Sequence, residues 1–317
     1  KEAPADTTQA GGSKETGAAG STAASENKET ESKGSSSKDT LIIATANETP
    51  SVTTNLHNAT AGDYINQMTH EGLFYSSADL TPQPALAESY EIVSDTEWVF
   101  KLRQGVKFHN GQEVKAADVK ASLELCKESP QVSQYGTSSG TIEVVDDYTI
   151  KMTTDGPQSG LLSDLCHHGN AILPADLIAS GHDFNKEPIG TGPYKFVAWN
   201  KGESIELEAN EDYWGGAPAI KHVTWKIIPE GSSRTMALEA GEVDMIIEVE
   251  STDLSRLQDN PDIVTVNEPG TGHNWVMINN EKAPFDNVDF RRAIDAAVDK
   301  NAVVQVALNG QGSVSDS

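Results

Sequence analysis

The amino-acid sequence predicts an α/β protein with antiparallel elements, on three observations. Short β-rich runs come in pairs joined by turn residues. Apolar residues recur at helical spacing between those pairs, and no fixed-period repeat shows. Residues 41–46, LIIATA, form an apolar run fit for a buried strand. A polar loop follows through Asn58, Ala59 and Thr60. Residues 63–73 then show weak helical spacing at Ile65 and Met68, closed by Gly72. In EWVFKLRQGVKFHNG, Trp98, Phe100 and Leu102 alternate with Val99, Lys101 and Arg103, the period of a half-buried strand. Gln104-Gly105 supplies a turn, and Val106 and Phe108 are expected to continue the alternation in a return strand. These five apolar residues are assigned to a core, and Lys101, Arg103 and Lys107 to a solvated face.

Further along, KAADVKASLELCKE predicts a helix with Val119, Leu123 and Cys126 on one face, and Pro130 lies just beyond it. Residues 141–154 predict a second hairpin turning at Asp146-Asp147. Residues 161–165 begin another helix, and a third follows Pro174. TGPYKFVAWNKGESIELEAN predicts a third hairpin through Asn200-Lys201-Gly202. Residues 220–228 are β-rich. SRTMALEAGEVDMII reads as helix, Gly241 stop, then strand. Near the end, NWVMINN predicts a strand, and residues 289–310 one helix with Ala293, Ile294, Ala297 and Val298 on its face.

Composition bounds the partners. The 317 residues carry a formal charge of −25, a field that repels nucleic acid and anionic membrane. Residues 1–40 hold no Leu, Ile, Val, Met, Phe, Trp, Tyr or Cys. Such a segment cannot bury enough apolar surface to offset its ordering entropy, so it is expected to be a disordered tether. Its roughly 40 residues would span about 35 Å as a flexible coil. No transmembrane run is present and the chain does not begin with Met, the pattern of an exported protein with its targeting segment removed. A membrane anchor would then lie upstream of Lys1. Cys126 and Cys166 sit in no C-x-x-C motif; a single disulfide between them and two small buried hydrophobes are both open readings.

Four segments, in order, carry a resemblance: WVFKLRQGVKFHNGQEVKAADV, PIGTGPYKFVAWNKGESIELEANEDYWGGAPAIKHV, ALEAGEVDM and NNEKAPFDNVDFRRAIDAAVDKNAVV. Together they resemble extracellular solute-binding protein family 5, the peptide- and nickel-type binding proteins of ABC importers, from Leu41 to the C-terminus. The resemblance implies a periplasmic-binding-protein-like two-lobe fold (type II, cluster C) that closes on a solute. It implies a first lobe at 41–71 and 189–270, an extra subdomain at 72–188, and a crossover strand with the start of a second lobe at 271–317. Family members are longer, so most of the second lobe is expected to be missing from this chain. Where the family has Thr as cap of the A-x-D-V helix, Lys115 stands here. Lys cannot accept a backbone N–H, and Asp118 in the first turn is expected to compensate in part.

The same resemblance implies the function. It points to a substrate-binding component of an ABC importer, extracellular, a cell-surface lipoprotein of the Gram-positive type or periplasmic in a Gram-negative source. It is expected to act as a monomer that captures an oligopeptide or dipeptide and delivers it to ABC permease subunits. A nickel chelate, haem or a signalling peptide are alternatives within the family. A hydrolase or a surface interaction protein are alternatives outside it. No nucleophile–base or carboxylate pair is marked in the sequence, so no catalytic residue, metal or cofactor is assigned. His109 reads as a turn residue. His167-His168, lacking an H-x-x-x-H pattern, read as loop, and GTGPY at 190–194 as a turn into a strand. The candidate solute contacts are Asn58, Ala59 and Thr60 after the first strand and Tyr135 in its YGTSSG loop. Glu248 is a candidate partner for a ligand ammonium. His273, Asn274 and Trp275 lie in the crossover.

Overall fold

A computed structural model describes residues 38–267 and 276–314. The first half runs β1 (Thr40–Thr45), α1 (Thr60–Thr69), β2 (Phe74–Ser76), β3 (Pro82–Pro84), β4 (Ala87–Ser94), β5 (Glu97–Leu102), α2 (Ala116–Glu128), α3 (Ser133–Gly136), β6 (Thr141–Asp146) and β7 (Thr149–Thr153). The second half runs α4 (Leu161–Asp164), α5 (Ala175–Ser180), β8 (Tyr194–Asn200), β9 (Ser204–Ala209), β10 (His222–Ile227), α6 (Gly231–Glu239), β11 (Met245–Ile246), α7 (Ser251–Gln258), α8 (Val288–Ala297) and α9 (Lys300–Ala307).

Two sheets organise these elements, each with its own core. The first is mixed and five-stranded, in the order β11-β1-β10-β9-β8. The apolar run 41–46 occupies its interior: β1 pairs in parallel with β10 and β11, which needs a strand tolerant of burial on both faces. Ile43, Val52, Ile65, Ile205, Leu207, Val223 and Trp225 form the core against α1. The second sheet is antiparallel, in the order β4-β5-β7-β6. Trp98, Phe100, Leu102, Ile142, Ile150 and Met152 on one face pack with Val119 and Leu123 of α2. The alternation read from the sequence is this face, and Phe100 is 0% exposed.

Several expectations are corrected. Val106 and Phe108 are buried, but they do not form a return strand against β5. Both edges of β5 are already taken, by β4 and β7, so no edge remains for them. They form a small loop of their own instead, with one bridge between Lys107 and Glu113 across the Asn110-Gly111 turn. Lys101 and Lys107 are exposed, whereas Arg103 is engaged: its Nε donates to Ala85 O at 2.7 Å and its guanidinium lies 4.7 Å over the Trp214 ring. Residues 276–279 carry no strand, and Val276 and Met277 are 87% and 84% exposed. The helix expected over 289–310 is two, α8 and α9: Val298 turns extended and ends the first, and Asp299 caps the second by accepting from Ala302 N. Neither helix has a buried residue.

Other expectations hold. Lys115 caps α2 without a side-chain bond, and Asp118 accepts from Lys115 N and Ala175 N at 2.8 Å each. Cys126 and Cys166 are free thiols, so the disulfide left open by the cysteine count is not formed. Cys126 is a buried core residue whose Sγ points to Val132 O, and burial pushes its thiol up to about 11. Among the described residues no helix is long and apolar enough to cross a membrane.

Candidate functional site

The chain leaves β1 at the carboxyl end of two parallel pairings and enters a loop over residues 46–59. Ends of this kind are where α/β sheets place ligands. The loop is polar yet buried at residues 51–54, and its side chains help satisfy its backbone. Ser51 Oγ donates to Asn185 Oδ1 at 2.8 Å, and Thr53 N donates to Ser51 Oγ at 3.1 Å. Further out, Ser129 Oγ donates to Asn55 O at 2.6 Å. Anchors on Asn185 and Ser129 therefore hold the loop, while its tip stays open. Asn58 and Thr60 are exposed and Ala59 is half-buried.

Ala59 is also the N-cap of α1 and offers no side-chain acceptor. The first backbone N–H groups of the helix therefore sit at the open tip, beside Asp63 in the first turn. Gly62 makes room for this arrangement: a Cβ there would lie 2.2 Å from the His57 ring. At the other end of α1, the GTGPY turn packs against helix backbone, and a Cβ on Gly190 would lie 2.1 Å from Thr69 O. His109 clasps that same turn. It accepts from Gly190 N at 3.3 Å, and its Nε2 lies 3.0 Å from Gly192 O. The structure thus keeps His109 as a turn residue, with burial lowering its pKa to about 4.

The tip has titratable neighbours the sequence reading passed over. His168 Nδ1 lies 2.7 Å from Asp63 Oδ1, and its Nε2 lies 3.1 Å from His57 O. Four rings pack in series: Tyr135 stacks on His167 at 3.5 Å, His167 meets His168 tilted by 36° at 4.1 Å, and His168 stacks on His57 at 4.6 Å. Tyr135 is thereby linked to the loop through the histidines. Burial, then His168, lowers His57 and His167 to about 4 each. Burial opposes ionisation of Asp63, but the His168 contact outweighs it and holds the carboxyl below its usual range.

His57, Asp63 and His168 place their ligating atoms within 4.8 Å of one another, close enough to raise a metal. The stacking argues against one. The His57 and His168 planes are 12° apart, so their in-plane lone pairs run alongside each other instead of converging on an ion.

Glu248 is exposed, at a positive φ of 59°, and its carbonyl accepts from buried Arg234 Nη2 at 2.8 Å. Tyr64 of α1 stacks on Trp225 at 5.5 Å. Its phenol is raised by burial first and then by the carboxylates of Glu248 and Asp63. Of the sequence-predicted contacts, Asn58, Ala59 and Thr60 sit together at the start of α1, Tyr135 is reached through the ring series, and Glu248 lies beyond β11, held through its carbonyl by Arg234. His273, Asn274 and Trp275 lie outside the described residues. The reading missed His57, Asp63, His167 and His168 as a group. Their one visible signal was the adjacent His pair, whose partners stand more than a hundred positions away in the chain.

Comparison with known proteins fits this geometry. The family model for bacterial extracellular solute-binding proteins, family 5 Middle, matches residues 81–317. The glutathione-binding protein GsiB of Pectobacterium atrosepticum is 32% identical over 267 residues, covering 81% of this chain and 52% of the relative. Heme-binding protein A of Haemophilus influenzae is 30% identical over 285 residues, covering 81% and 51%. Among solved structures, the ABC transporter-associated periplasmic binding protein DppA from Helicobacter pylori, in complex with peptide STSA, superposes with a TM-score of 0.79. It is 30% identical, and the match covers 86% of this chain and 58% of DppA. The chain spans about half the length of the curated relatives it matches.

Proposed function

Because the chain belongs to the bacterial extracellular solute-binding proteins of family 5, we propose that it serves as the solute-capturing component of an ABC importer, with a short peptide as solute. The family is one of extracellular or periplasmic binding proteins that work with ABC permeases, and its fold here is the partial form of the type II periplasmic-binding-protein architecture. The observation that carries the peptide reading is the exposed 58–60 tip, whose anchors lie behind it; Ala59 N and O are taken by His57 Nδ1 and the first turn of α1, which leaves Asn58 and the Thr60 N–H to meet an extended chain. The DppA complex with a tetrapeptide supports the same reading.

In this proposal Asn58 and Thr60 meet the peptide backbone beside Ala59, and Glu248 pairs with a ligand ammonium. Tyr135 stands at the rim. His273, Asn274 and Trp275 contribute from the crossover, with Trp275 as an apolar wall. The sheet around β1 and residues 189–270 form the first lobe, with 72–188 as its extra subdomain and residues 1–40 as the tether below a lipid anchor. The protein acts as a monomer and makes or breaks no bond. Glutathione, haem or a nickel chelate is the second reading, favoured by glutathione- and haem-binding relatives and by the NikZ structure from Campylobacter jejuni in complex with Ni(L-His). Mass spectrometry of the molecule that co-purifies with the full-length protein tests this. A peptide is expected; a tetrapyrrole or a metal chelate would replace the peptide reading, and turnover of a peptide would overturn the binding role.

A further inference from the structure

We propose that Arg234 is a positioning residue of the solute site: it holds the backbone at Glu248 in one strained conformation and so fixes where that carboxylate meets the solute. This rests on the reading that Glu248 pairs with a ligand ammonium.

The five-stranded sheet sets the geometry. β10 and β11 flank β1 in parallel, so all three strands end on one side. Ile228 N donates to Thr45 O at 2.9 Å, and Ile247 N donates to Ala44 O at 3.1 Å, so both chains are still bound to β1 as they leave the sheet. Ile228-Pro229 then leads into α6, and Ile247-Glu248 leads toward α7. Arg234 of α6 lies between these two exits and is 3% exposed. Its Nη1 donates to Ile228 O at 2.9 Å and to Pro229 O at 3.0 Å, and its Nη2 donates to Glu248 O at 2.8 Å. One planar fork thus spans the carboxyl ends of both strands beside β1. A buried guanidinium needs such acceptors, and a lysine's single ammonium could not span them.

Glu248 is the unusual end of this span. Its φ of 59° lies in the left-handed region, which is costly for a residue with a Cβ. Such a conformation persists only where its surroundings impose it, and the bond from Arg234 falls on this residue's own carbonyl. With φ set and the carbonyl held, the Cα–Cβ direction is set too. The side chain is exposed, so its carboxylate reaches out from a fixed base. Further along, Thr235 Oγ1 donates to Asp253 Oδ2 at 3.1 Å, which ties α6 to α7 and anchors the connecting segment at its far end. A carboxylate on a held backbone meets an ammonium without first having to be ordered, and it meets it at one distance only.

Calorimetric titration of the full-length protein with Ser-Thr-Ser-Ala and with its N-acetylated form tests this, because only the first carries an ammonium. The wild type is expected to prefer the free amine about tenfold, the worth of one charge-assisted hydrogen bond. Glu248→Gln should erase that preference. Arg234→Lys keeps the buried charge but not the fork, and should lose most of the preference while its affinity for the acetylated peptide is nearly unchanged. A purely structural role would lower both affinities together and leave their ratio intact, which would overturn the proposal. Glu248→Asp gives a second test with Arg234 in place, since Asp tolerates the same φ. On a held backbone its carboxylate, drawn back by one methylene, falls short, and the preference should drop toward that of Glu248→Gln. A full preference in Glu248→Asp would show a backbone free to follow the ligand and contradict the proposal. A wild type that takes both peptides alike, or neither, would refute the ammonium pairing and the positioning role with it. A wild-type preference that Glu248→Gln abolishes and Arg234→Lys retains would keep the pairing and remove Arg234 from it.

Discussion

The antiparallel sheet and the loop at the end of β1 are held by different physics. The sheet is a dry apolar unit in which Phe100, Ile150, Met152, Val119 and Leu123 are each fully buried. The loop is held by hydroxyls, an amide and a series of rings, and it leaves its tip open. The basic stretch FKLRQGVKFHNG belongs to the first region. Arg103 covers Trp214 and His109 clasps Gly190, so its arginine and histidine go into packing, while Lys101 and Lys107 stay exposed. The contrast teaches that a conspicuous motif can belong to the scaffold, while the quieter loop carries the site proposed here.

Core truncation should break the contrast hardest. Phe100→Ala should cost about 3–5 kcal/mol and lower the cooperative denaturation midpoint without a loop-specific change. Gly190→Ala strikes the seam between the regions, because its Cβ would fall 2.1 Å from Thr69 O. A loss of about 1–3 kcal/mol is expected, with faster exchange at the end of α1. A wild-type midpoint in either variant would show that the packing described is not needed.

Acid should act next, and on the loop region more than on the sheet. His57, His109 and His167 are lowered to about 4 and His70 to about 3, from 6.5. The folded state therefore holds them neutral while the unfolded state binds protons. Stability is full above about pH 6.5 and falls as pH drops toward 4. Glu71 and Asp118, raised by burial, offset part of the loss at the lower end. Thermal denaturation against pH checks this, and a flat profile over that window would contradict it. The smallest effect is expected for Ser51→Ala, which removes the bond to Asn185 and the one accepted from Thr53 N and should cost about 1–2 kcal/mol while loosening the loop anchor.

The two regions also differ in how well the sequence foretold them. Trp98, Phe100 and Leu102 announced β5 because one face of that strand is buried and the other is not. β4 gave no such pattern: it is an edge strand exposed over nearly its whole length, so burial imposes no alternation. The return strand at Val106 and Phe108 failed because local alternation cannot report which edges of β5 are occupied. Residues 58–60 were legible as a candidate site only through the family resemblance. Of the His57–Asp63–His168 group only the adjacent His167-His168 pair was visible, since the fold alone brings residue 168 to residues 57 and 63.

The most direct test of the account is hydrogen exchange on the full-length protein with and without its co-purified solute. Protection is expected at residues 57–64 and around Glu248, with residues 100–111 unchanged. Protection confined to 100–111 would place the solute on the basic stretch and contradict the assignment of the site to the loop.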